Sequence, residues 1–311
     1  MAVRGFAPLA GLLSLLGILV APAVTAEPVR PLRIVSYNIL HGGVLSGLNG
    51  KDEDLEARLR ISVDELRALD PDIIGLQEAS TSRKRGNVAE RLARELGYHH
   101  HAYAPTLFRF FTLEFVNRHV SWLFNFTEGP AVVSRFPIVA SGFYGLPRCN
   151  GYFDPRVLLH TTVRTPWGDV GIASTHTSRG FCQAERVVQL MEERRGVYGS
   201  VLMGDFNAVE DSPGILRLTH QAGYVDAFRA VNPGEPGPTV FQAIRAPGPT
   251  VRRRVDFLFL VPGRVVPGRV LSSRVVLNAP RTQANGQTLW PSDHYGVLAE
   301  LDLFPTFTSA P

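Results

Sequence analysis

Short apolar runs alternate with amphipathic segments along most of the chain. Residues 32–38, 72–78 and 201–207 are apolar stretches that end in polar side chains, a pattern typical of buried strands. Residues 55–69 carry leucines at helical spacing, and Pro71 ends that segment. Strands that alternate with helices predict an α/β fold in which the sheets are buried.

The same alternation predicts the remaining elements. Further helices are expected at 87–96, 183–195 and 215–222, and further strands at 99–103, 131–136, 157–164, 170–175, 255–260 and 295–303. The strands at 157–164 and 170–175 flank Pro166-Trp167-Gly168-Asp169, which is typical of a hairpin turn. No repeat or linker interrupts residues 30–304, so we expect a single domain there.

The two ends of the chain depart from this pattern. Residues 1–26 contain Arg4, an apolar run at 9–20 and small residues before position 27, which together predict a secretory signal peptide. An uncleaved N-terminal anchor is the alternative. Residues 305–311 are expected to form a loose tail. We therefore expect a secreted product, either extracellular or periplasmic, that is monomeric.

Composition adds two constraints. The 32 basic and 28 acidic residues give a formal net charge of +4, which is well below the net charge expected of a dedicated nucleic-acid-binding protein. Cys149 and Cys182 are the only cysteines, and an even count in an exported chain favours a disulfide over a metal site or a nucleophile. Two unpaired, buried thiols are the alternative.

Two stretches could have either a structural or a functional role. Residues 107–126 are rich in Phe and Trp, which suits either a lid over the core or a surface in peripheral contact with a membrane or an apolar substrate group. His99, His100 and His101 would alternate between the faces of a strand. They therefore cannot present three metal ligands together, and a structural role is expected.

Polar side chains gather at six strand ends in a chain whose strands are otherwise apolar. These residues are Asn38, Glu78, His176, Asp205 with Asn207, Asp256, and Asp293 with His294. Their distribution predicts one polar pocket at a common edge of the sheets. Carboxylate and amide oxygens suit Mg²⁺, Mn²⁺ or Ca²⁺ better than zinc, and histidines beside them suit acid-base chemistry on a phosphate ester.

Seven short motifs now identify a resemblance that covers nearly all of residues 32–303. They are Tyr37-Asn38-Ile39, Gln77-Glu78, Ser134-Arg135-Phe136-Pro137, Ser174-Thr175-His176, Gly204-Asp205-Phe206-Asn207, Arg254-Val255-Asp256-Phe257 and Ser292-Asp293-His294. In this order they resemble the motifs of the endonuclease/exonuclease/phosphatase (DNase I-like) superfamily. The resemblance implies a four-layer α/β sandwich of two mixed β-sheets flanked by helices, and divalent-metal-dependent hydrolysis of a phosphate ester.

The resemblance also assigns roles position by position. Three residues would lie at the metal: Asn38, Glu78 and Asp293. Five would act on the phosphate and the attacking water: His176, Asp205, Asn207, Asp256 and His294. Asp256 would hold His294, and whether Asp205 or His294 takes the proton of the water stays open. Arg135 and Arg156 match positions that are usually structural.

The shared motifs do not select a substrate, so three functions stay open. A phospholipid phosphodiesterase is favoured by predicted export, by the aromatic insertion, and by cysteines placed as in secreted bacterial sphingomyelinases. The sequence has Gly296 where those enzymes usually have Pro, and this difference disfavours the phospholipid phosphodiesterase. A secreted nuclease is the alternative, supported by the basic charge and Arg252-Arg253-Arg254. A secreted binding protein without activity is the third.

Overall fold

The computed structural model describes residues 29–41, 53–83, 85–106, 114–125, 127–149, 155–178 and 181–304. The predicted signal peptide and C-terminal tail lie outside these residues, as does the first part of the aromatic insertion. Among the helices of the described part, none is long and apolar enough to cross a bilayer.

The described strands are numbered β1 to β15 in chain order. They are β1 Leu32–Asn38, β2 Ile73–Ser82, β3 Gly86–Asn87, β4 His100–Tyr103, β5 Thr127–Ser134, β6 Ile138–Gly145, β7 Val157–Thr165, β8 Gly168–His176, β9 Ser200–Asp205, β10 Val225–Asp226, β11 Asp256–Val261, β12 Arg269–Val276, β13 Arg281–Thr282, β14 Thr288–Leu289 and β15 Gly296–Asp302. The helices are α1 Leu55–Leu69, α2 Val88–Leu96, α3 Glu114–Leu123, α4 Phe181–Glu193, α5 Pro213–Leu216 and α6 Ala227–Val231, with a π-helical turn at Arg217–Gln221.

Two large sheets hold most of these strands. Sheet 1 has the order β12-β15-β1-β2-β5-β4, with β3 paired to β2, and sheet 2 has the order β10-β11-β9-β8-β7-β6. In each sheet one pair is parallel, β1 with β2 and β8 with β9, and the other pairs are antiparallel. Both sheets are therefore mixed.

The sheets pack face to face, and helices cover their outer faces. Ile34 and Ile73 of sheet 1 share one buried cluster with Met203 and Leu258 of sheet 2. Gly75 permits this close approach, because a Cβ at that position would collide with the side chain of Met203. A second cluster joins α1 and α2 to sheet 1, and a third joins α4 and α5 to sheet 2. The predicted four-layer α/β sandwich is confirmed.

Local sequence accounts for the helices that lie against sheet 1. In α1 the buried side is formed by residues such as Leu55, Leu59 and Leu66, at the spacing the sequence predicts. In α2 the Asn87 side chain accepts hydrogen bonds from the first helical N–H groups, and Gly97 ends the helix with a φ of 75°.

Several elements differ from the sequence predictions. Strand β2 continues to Ser82 instead of ending at Glu78, because its pairing with β5 shifts register between Leu76 and Ala79. Strands β6 and β12 were not predicted, since their side chains are largely exposed and carry no continuous apolar run. The helix expected at 215–222 is instead the short α5 followed by the π-helical turn.

Candidate active site

The eight predicted site residues meet at one edge of the two sheets, which we call the site edge. Strands β1, β8 and β9 end at this edge, and β2 has its register shift there. The strands of each parallel pair run in the same direction, so their carboxyl ends point to the same edge. Antiparallel pairing places the start of β11 at the same edge, with Asp256 opposite Asp205. The segment before β15 reaches it too, through a bridge between His294 and Val240.

Asp205 lies at the centre of this edge and is only 1% exposed. Its Oδ2 accepts a hydrogen bond from Asn38 Nδ2 at 3.1 Å, and its Oδ1 accepts one from the Asn207 N–H at 2.8 Å. The Nε2 atoms of His176 and His294 lie 3.3 and 3.7 Å from Asp205 Oδ2. This carboxylate therefore faces both predicted catalytic histidines.

Two carboxyl groups at the site edge, of the buried Asp205 and the partly buried Asp293, have a raised pKa. Burial raises the pKa of Asp205 to about 7, with His294 opposing the rise and Asp256 adding to it. Burial likewise raises the pKa of Asp293 to about 6. Asp205 can therefore exchange a proton near neutral pH, as a general base must.

His294 and Asp256 form a buried ion pair. His294 Nδ1 lies 2.8 Å from Oδ2 of Asp256, which is 0% exposed, so Nδ1 carries the proton of this hydrogen bond. Burial alone would lower the pKa of His294, but the charges of Asp256 and Asp205 raise it well above its ordinary value. The imidazole is therefore a cation whose Nε2 faces Asp205.

His176 is the opposite kind of imidazole. Asn207 Nδ2 donates to His176 Nε2 at 2.9 Å and to the Thr177 carbonyl at 3.0 Å, which leaves the ring proton on Nδ1. Burial and the charge of Arg156 hold the pKa of His176 well below its usual range. Asn207 reaches this ring from a left-handed backbone conformation with a φ of 51°. The two histidines thus differ in charge, a difference that the sequence analysis did not predict.

Glu78 lies at the register shift in β2 and has a φ of 55°. Its Oε1 accepts a hydrogen bond from Asn38 Nδ2 at 3.2 Å, and its Oε2 accepts one from the backbone N–H of His41 at 3.3 Å. The irregular backbone, with a left-handed φ that is rare for a non-glycine residue, accompanies the turn of this side chain into the site.

His41 and Glu128 also belong to the site, and sequence reasoning missed both. His41 Nε2 lies 2.5 Å from Glu128 Oε2 and 3.3 Å from Glu78 Oε2. Burial opposes the charge on this imidazole, but Glu128 and Glu78 outweigh it and raise the pKa of His41 to about 9. The available signals were the three-residue spacing from Asn38 to His41 and an acid just before the apolar run of β5.

Arg58 is a third residue that the sequence did not single out. It is fully buried in α1 and donates to the carbonyls of Ile39 and Leu40 after β1, at 2.7 and 2.6 Å. It also donates to the Pro291 carbonyl at 3.2 Å. This one guanidinium group therefore fixes both the loop that follows Asn38 and the loop that leads to Asp293.

The two arginines expected to be structural lie in different places. Arg135 bonds to Asp70, far along β2 from the site edge, as expected for a structural residue. Arg156 donates to Ser178 Oγ at 3.4 Å, and its charge lowers the pKa of both His176 and Glu128. Its position beside the site was not expected.

The donor set fits a divalent cation. Single ligand atoms of His41, Glu78 and Glu128 lie within 4.8 Å of one another, and a second such group comprises Asp205, Asp256 and His294. Of the predicted metal ligands, Glu78 belongs to the first group, Asn38 bonds directly to it, and the charge of Glu78 acts on Asp293. Carboxylate oxygens of this kind favour a hard cation.

Three solved structures show the same fold. An endonuclease/exonuclease/phosphatase from Beutenbergia cavernae is 24% identical, with a TM-score of 0.61 over 88% of this chain and 72% of that one. A mannosyl-6-phosphatase from Bacteroides thetaiotaomicron is 18% identical, with a TM-score of 0.63 over 87% and 99%. The human Nocturnin catalytic domain is 19% identical, with a TM-score of 0.60 over 88% and 94%.

Sequence comparison gives the family directly. No curated protein sequence matches the chain. The family model described as "Endonuclease/Exonuclease/phosphatase family" matches residues 35–294, which is most of the chain. Members of that family are hydrolases of phosphoester bonds and generally depend on a divalent metal. The chain therefore belongs to the endonuclease/exonuclease/phosphatase family and is a phosphoester hydrolase.

Proposed function

We propose that this protein is an exported, Mg²⁺-dependent phosphodiesterase that acts on phospholipids. The observation that carries the hydrolytic part is the position of Asp205, with His176 Nε2 at 3.3 Å and His294 Nε2 at 3.7 Å. A carboxyl group whose pKa is about 7, beside one cationic and one neutral imidazole, is suited to proton transfer at a phosphate ester.

Each residue then has a distinct task. Asp205 would take the proton of the attacking water, because at neutral pH a large fraction of it is ionised. His294, held as a cation by Asp256, would donate a hydrogen bond to a phosphate oxygen and stabilise its negative charge. Asn207 and His176 would lie beside the phosphate, where the Asn207 amide would position the neutral ring of His176 through their hydrogen bond.

Glu78 and Asp293 would hold the cation, with Asn38 supporting Glu78. Glu128 lies close enough to Glu78 to share this role. A bound Mg²⁺ supplies positive charge that offsets the charge on the phosphate oxygens during hydrolysis. Arg58 would keep the loops that carry these ligands at a fixed separation.

Exposed apolar side chains support a lipid substrate. Phe241 is 59% exposed, and the N–H of the next residue, Gln242, donates to the Asp293 carbonyl at 2.8 Å. Phe115 and Leu123 of α3 are exposed within the aromatic insertion that precedes β5. Aromatic side chains placed around a polar site suit contact with a bilayer interface.

The cysteines support export. Cys149 and Cys182 form a disulfide with a Cα–Cα distance of 6.3 Å, which fixes the start of α4 beside the segment after β6. Disulfides persist in oxidising compartments and are rare in the cytosol. Together with the predicted signal peptide, this bond favours an extracellular or periplasmic enzyme.

A secreted nuclease is the second candidate, and two arginines favour it. Arg252 and Arg253 are both exposed, and neither makes an ion pair within the described part of the chain. Uncompensated arginines beside a phosphate site are suited to a nucleic-acid backbone, for which binding weakens steeply as salt rises.

One experiment separates these functions. The purified chain without residues 1–26 is offered phospholipid vesicles and plasmid DNA side by side, with Mg²⁺ and with EDTA. Release of the phosphorylated headgroup that requires Mg²⁺, with DNA left intact, is the expected result. Nicked DNA with intact lipid would overturn the lipid assignment and favour the nuclease, and no hydrolysis of either would reject both.

A further inference from the structure

A cavity of about 360 Å³ opens directly beside the candidate active site. Thr177, Ser178 and Asn207 line its inner end, and Phe181 of α4 and Arg253 line it as well. We call it the Arg253 cavity. Its volume falls in the range of cavities that hold small organic ligands.

Asn207 connects this cavity to the chemistry. Asn207 lines the cavity, and its carboxamide donates to His176 Nε2 at 2.9 Å. A phosphate bound at the site edge next to Asn207 would therefore have one of its ester groups beside the cavity.

The described lining of the Arg253 cavity combines apolar side chains with a few uncharged polar ones, and Arg253 is its one charged residue. Phe206 and Ile215 form buried parts of the wall, and Phe181 is 48% exposed. Arg253 is exposed and makes no ion pair within the described part of the chain. None of the lining residues that the structure describes is a carboxylate.

This composition selects among ester groups. An apolar wall with an aromatic side chain favours a ring or an alkyl group. Quaternary ammonium groups bind to aromatic side chains through the positive charge of the ligand, and a nearby arginine opposes that charge. The cavity is thus suited to a neutral or anionic group and unsuited to choline.

We propose that the Arg253 cavity binds the second ester group of the phosphodiester substrate, and that Arg253 selects neutral or anionic groups over cationic ones. The proposal rests on the proposed function and narrows it, because a sphingomyelin-like choline headgroup would be disfavoured in this cavity. Phe181 contributes the apolar contact, and Arg253 sets the charge preference.

The test compares two ligands that share a phosphate and differ in the attached group. Dissociation constants of phenyl phosphate and phosphocholine are measured by calorimetry on the Mg²⁺-loaded chain. The wild-type chain should bind phenyl phosphate more tightly. Arg253→Glu should shift the ratio of the two constants toward phosphocholine by on the order of tenfold, because the charge facing the ligand is reversed.

Matched variants control for general charge and for exposed aromatic area. Arg252→Glu makes the same charge change at the neighbouring exposed position, which does not line the cavity, and should leave the ratio within about twofold. Phe181→Ala should weaken phenyl phosphate binding several-fold. Phe143→Ala, at an exposed position on β6 outside the cavity, should not.

The two proposals can fail separately. An unchanged ratio in Arg253→Glu, or an equal shift in Arg252→Glu, would overturn the cavity assignment whether or not the enzyme turns over. Turnover of bis(4-nitrophenyl) phosphate with Mg²⁺ is measured in parallel. If turnover is absent while the binding ratio shifts as expected, the proposed function fails and the cavity assignment stands.

Discussion

The two edges of the sheet sandwich both bury carboxylates, but they compensate them differently. At the edge opposite the site, where β1 and β2 begin, Asp72 is 1% exposed. Arg30 donates to both of its oxygens at 2.6 and 2.8 Å, and the Arg33 N–H donates at 3.0 Å. Arg135 Nε lies 3.6 Å away. This carboxylate has two guanidinium groups within reach.

At the site edge Asp205 is equally buried, yet no arginine or lysine among the described residues forms an ion pair with it. Its neighbours are amides and imidazoles, and burial raises its pKa to about 7. Arg58 lies nearby but donates to backbone carbonyls. A buried acid paired with arginine stabilises the fold, whereas a buried acid left short of positive charge is ready for a proton, a cation or a phosphate.

The largest expected effect is on catalysis at the site edge. Asp205→Asn keeps the shape but removes the group proposed to take the proton of the water, and its single carbonyl oxygen retains only one of the two hydrogen bonds that Asp205 accepts from Asn38 and Asn207. We expect kcat to fall by about 10² to 10⁴-fold, the usual range for loss of a general base. The measurement is steady-state hydrolysis of bis(4-nitrophenyl) phosphate with saturating Mg²⁺.

The same variant should fold at least as well as the wild type. An amide does not require desolvation of a charge, so the Tm should be unchanged or higher. If kcat stays within tenfold of the wild-type value, Asp205 is not the base. His294 would then become the stronger candidate.

The second effect is expected at the opposite edge and should appear in stability alone. Asp72→Asn leaves Arg30 without its partner. We expect the free energy of unfolding to fall by about 2–3 kcal/mol, less than for a fully buried pair because Arg30 is 43% exposed. Urea unfolding provides the measurement, and kcat per folded molecule should not change.

Asp169→Asn is the matched control for that edge. Asp169 of β8 pairs with Arg164 of β7 at 3.1 Å next to the turn between these strands, and both side chains are exposed. Its removal should leave the urea midpoint unchanged. A loss of kcat in Asp72→Asn would contradict the division of the molecule into a stabilising edge and a catalytic edge.

A third prediction concerns the cation. Glu78→Gln removes the negative charge and retains one carbonyl oxygen, which can replace either the acceptor of the Asn38 bond or that of the His41 bond. We expect the affinity for Mn²⁺, used as a probe for the divalent site, to fall more than tenfold in calorimetry. Glu185→Gln, which alters an acid paired with Arg217 on the surface, is the control. Equal affinities in all three proteins would place the metal elsewhere.

The sequence reveals the ends of buried strands more readily than it reveals how the strands are ordered. Asn38, Asp205 and Asp256 were found because each adjoins an apolar run, and the helix caps at Asn87 and Gly97 were recognisable locally. The partners of His41 were not, because Glu128 reaches it only through the antiparallel pairing of β5 with β2. That pairing depends on sheet order, which apolar runs do not encode.

Two further features depend on tertiary context. The left-handed backbone at Glu78 arises from a register shift between two strands, and nothing in Gln77-Glu78 requires it. In the sequence, Arg58 is indistinguishable from the other polar positions of an amphipathic helix. Its role depends on backbone carbonyls of two loops that are distant in sequence. The side chains that meet at the site edge were therefore predictable, whereas most of those that position them were not.

The smallest expected effect is on the pH dependence of stability, and it would sharpen the contrast between the edges. In the metal-free chain the folded-state pKa of Asp205 is about 7, above its ordinary value of 3.8. Between these values the folded state holds more protons than the unfolded state. Stability from this group is therefore fully present below about pH 4 and is lost as pH rises toward 7.

The Tm of the wild type and of Asp205→Asn, measured in EDTA from pH 4.5 to 7.5, gives the test. The Tm of the variant should rise by a few degrees relative to the Tm of the wild type as pH rises, and this difference in Tm should become constant above about pH 7. His160, whose pKa burial lowers to about 4, makes stability rise over part of the same range. That contribution is present in both proteins and cancels in the difference. A difference that stays constant with pH would mean that Asp205 is already ionised at pH 4.5, and that the site edge compensates its charge as fully as the opposite edge does.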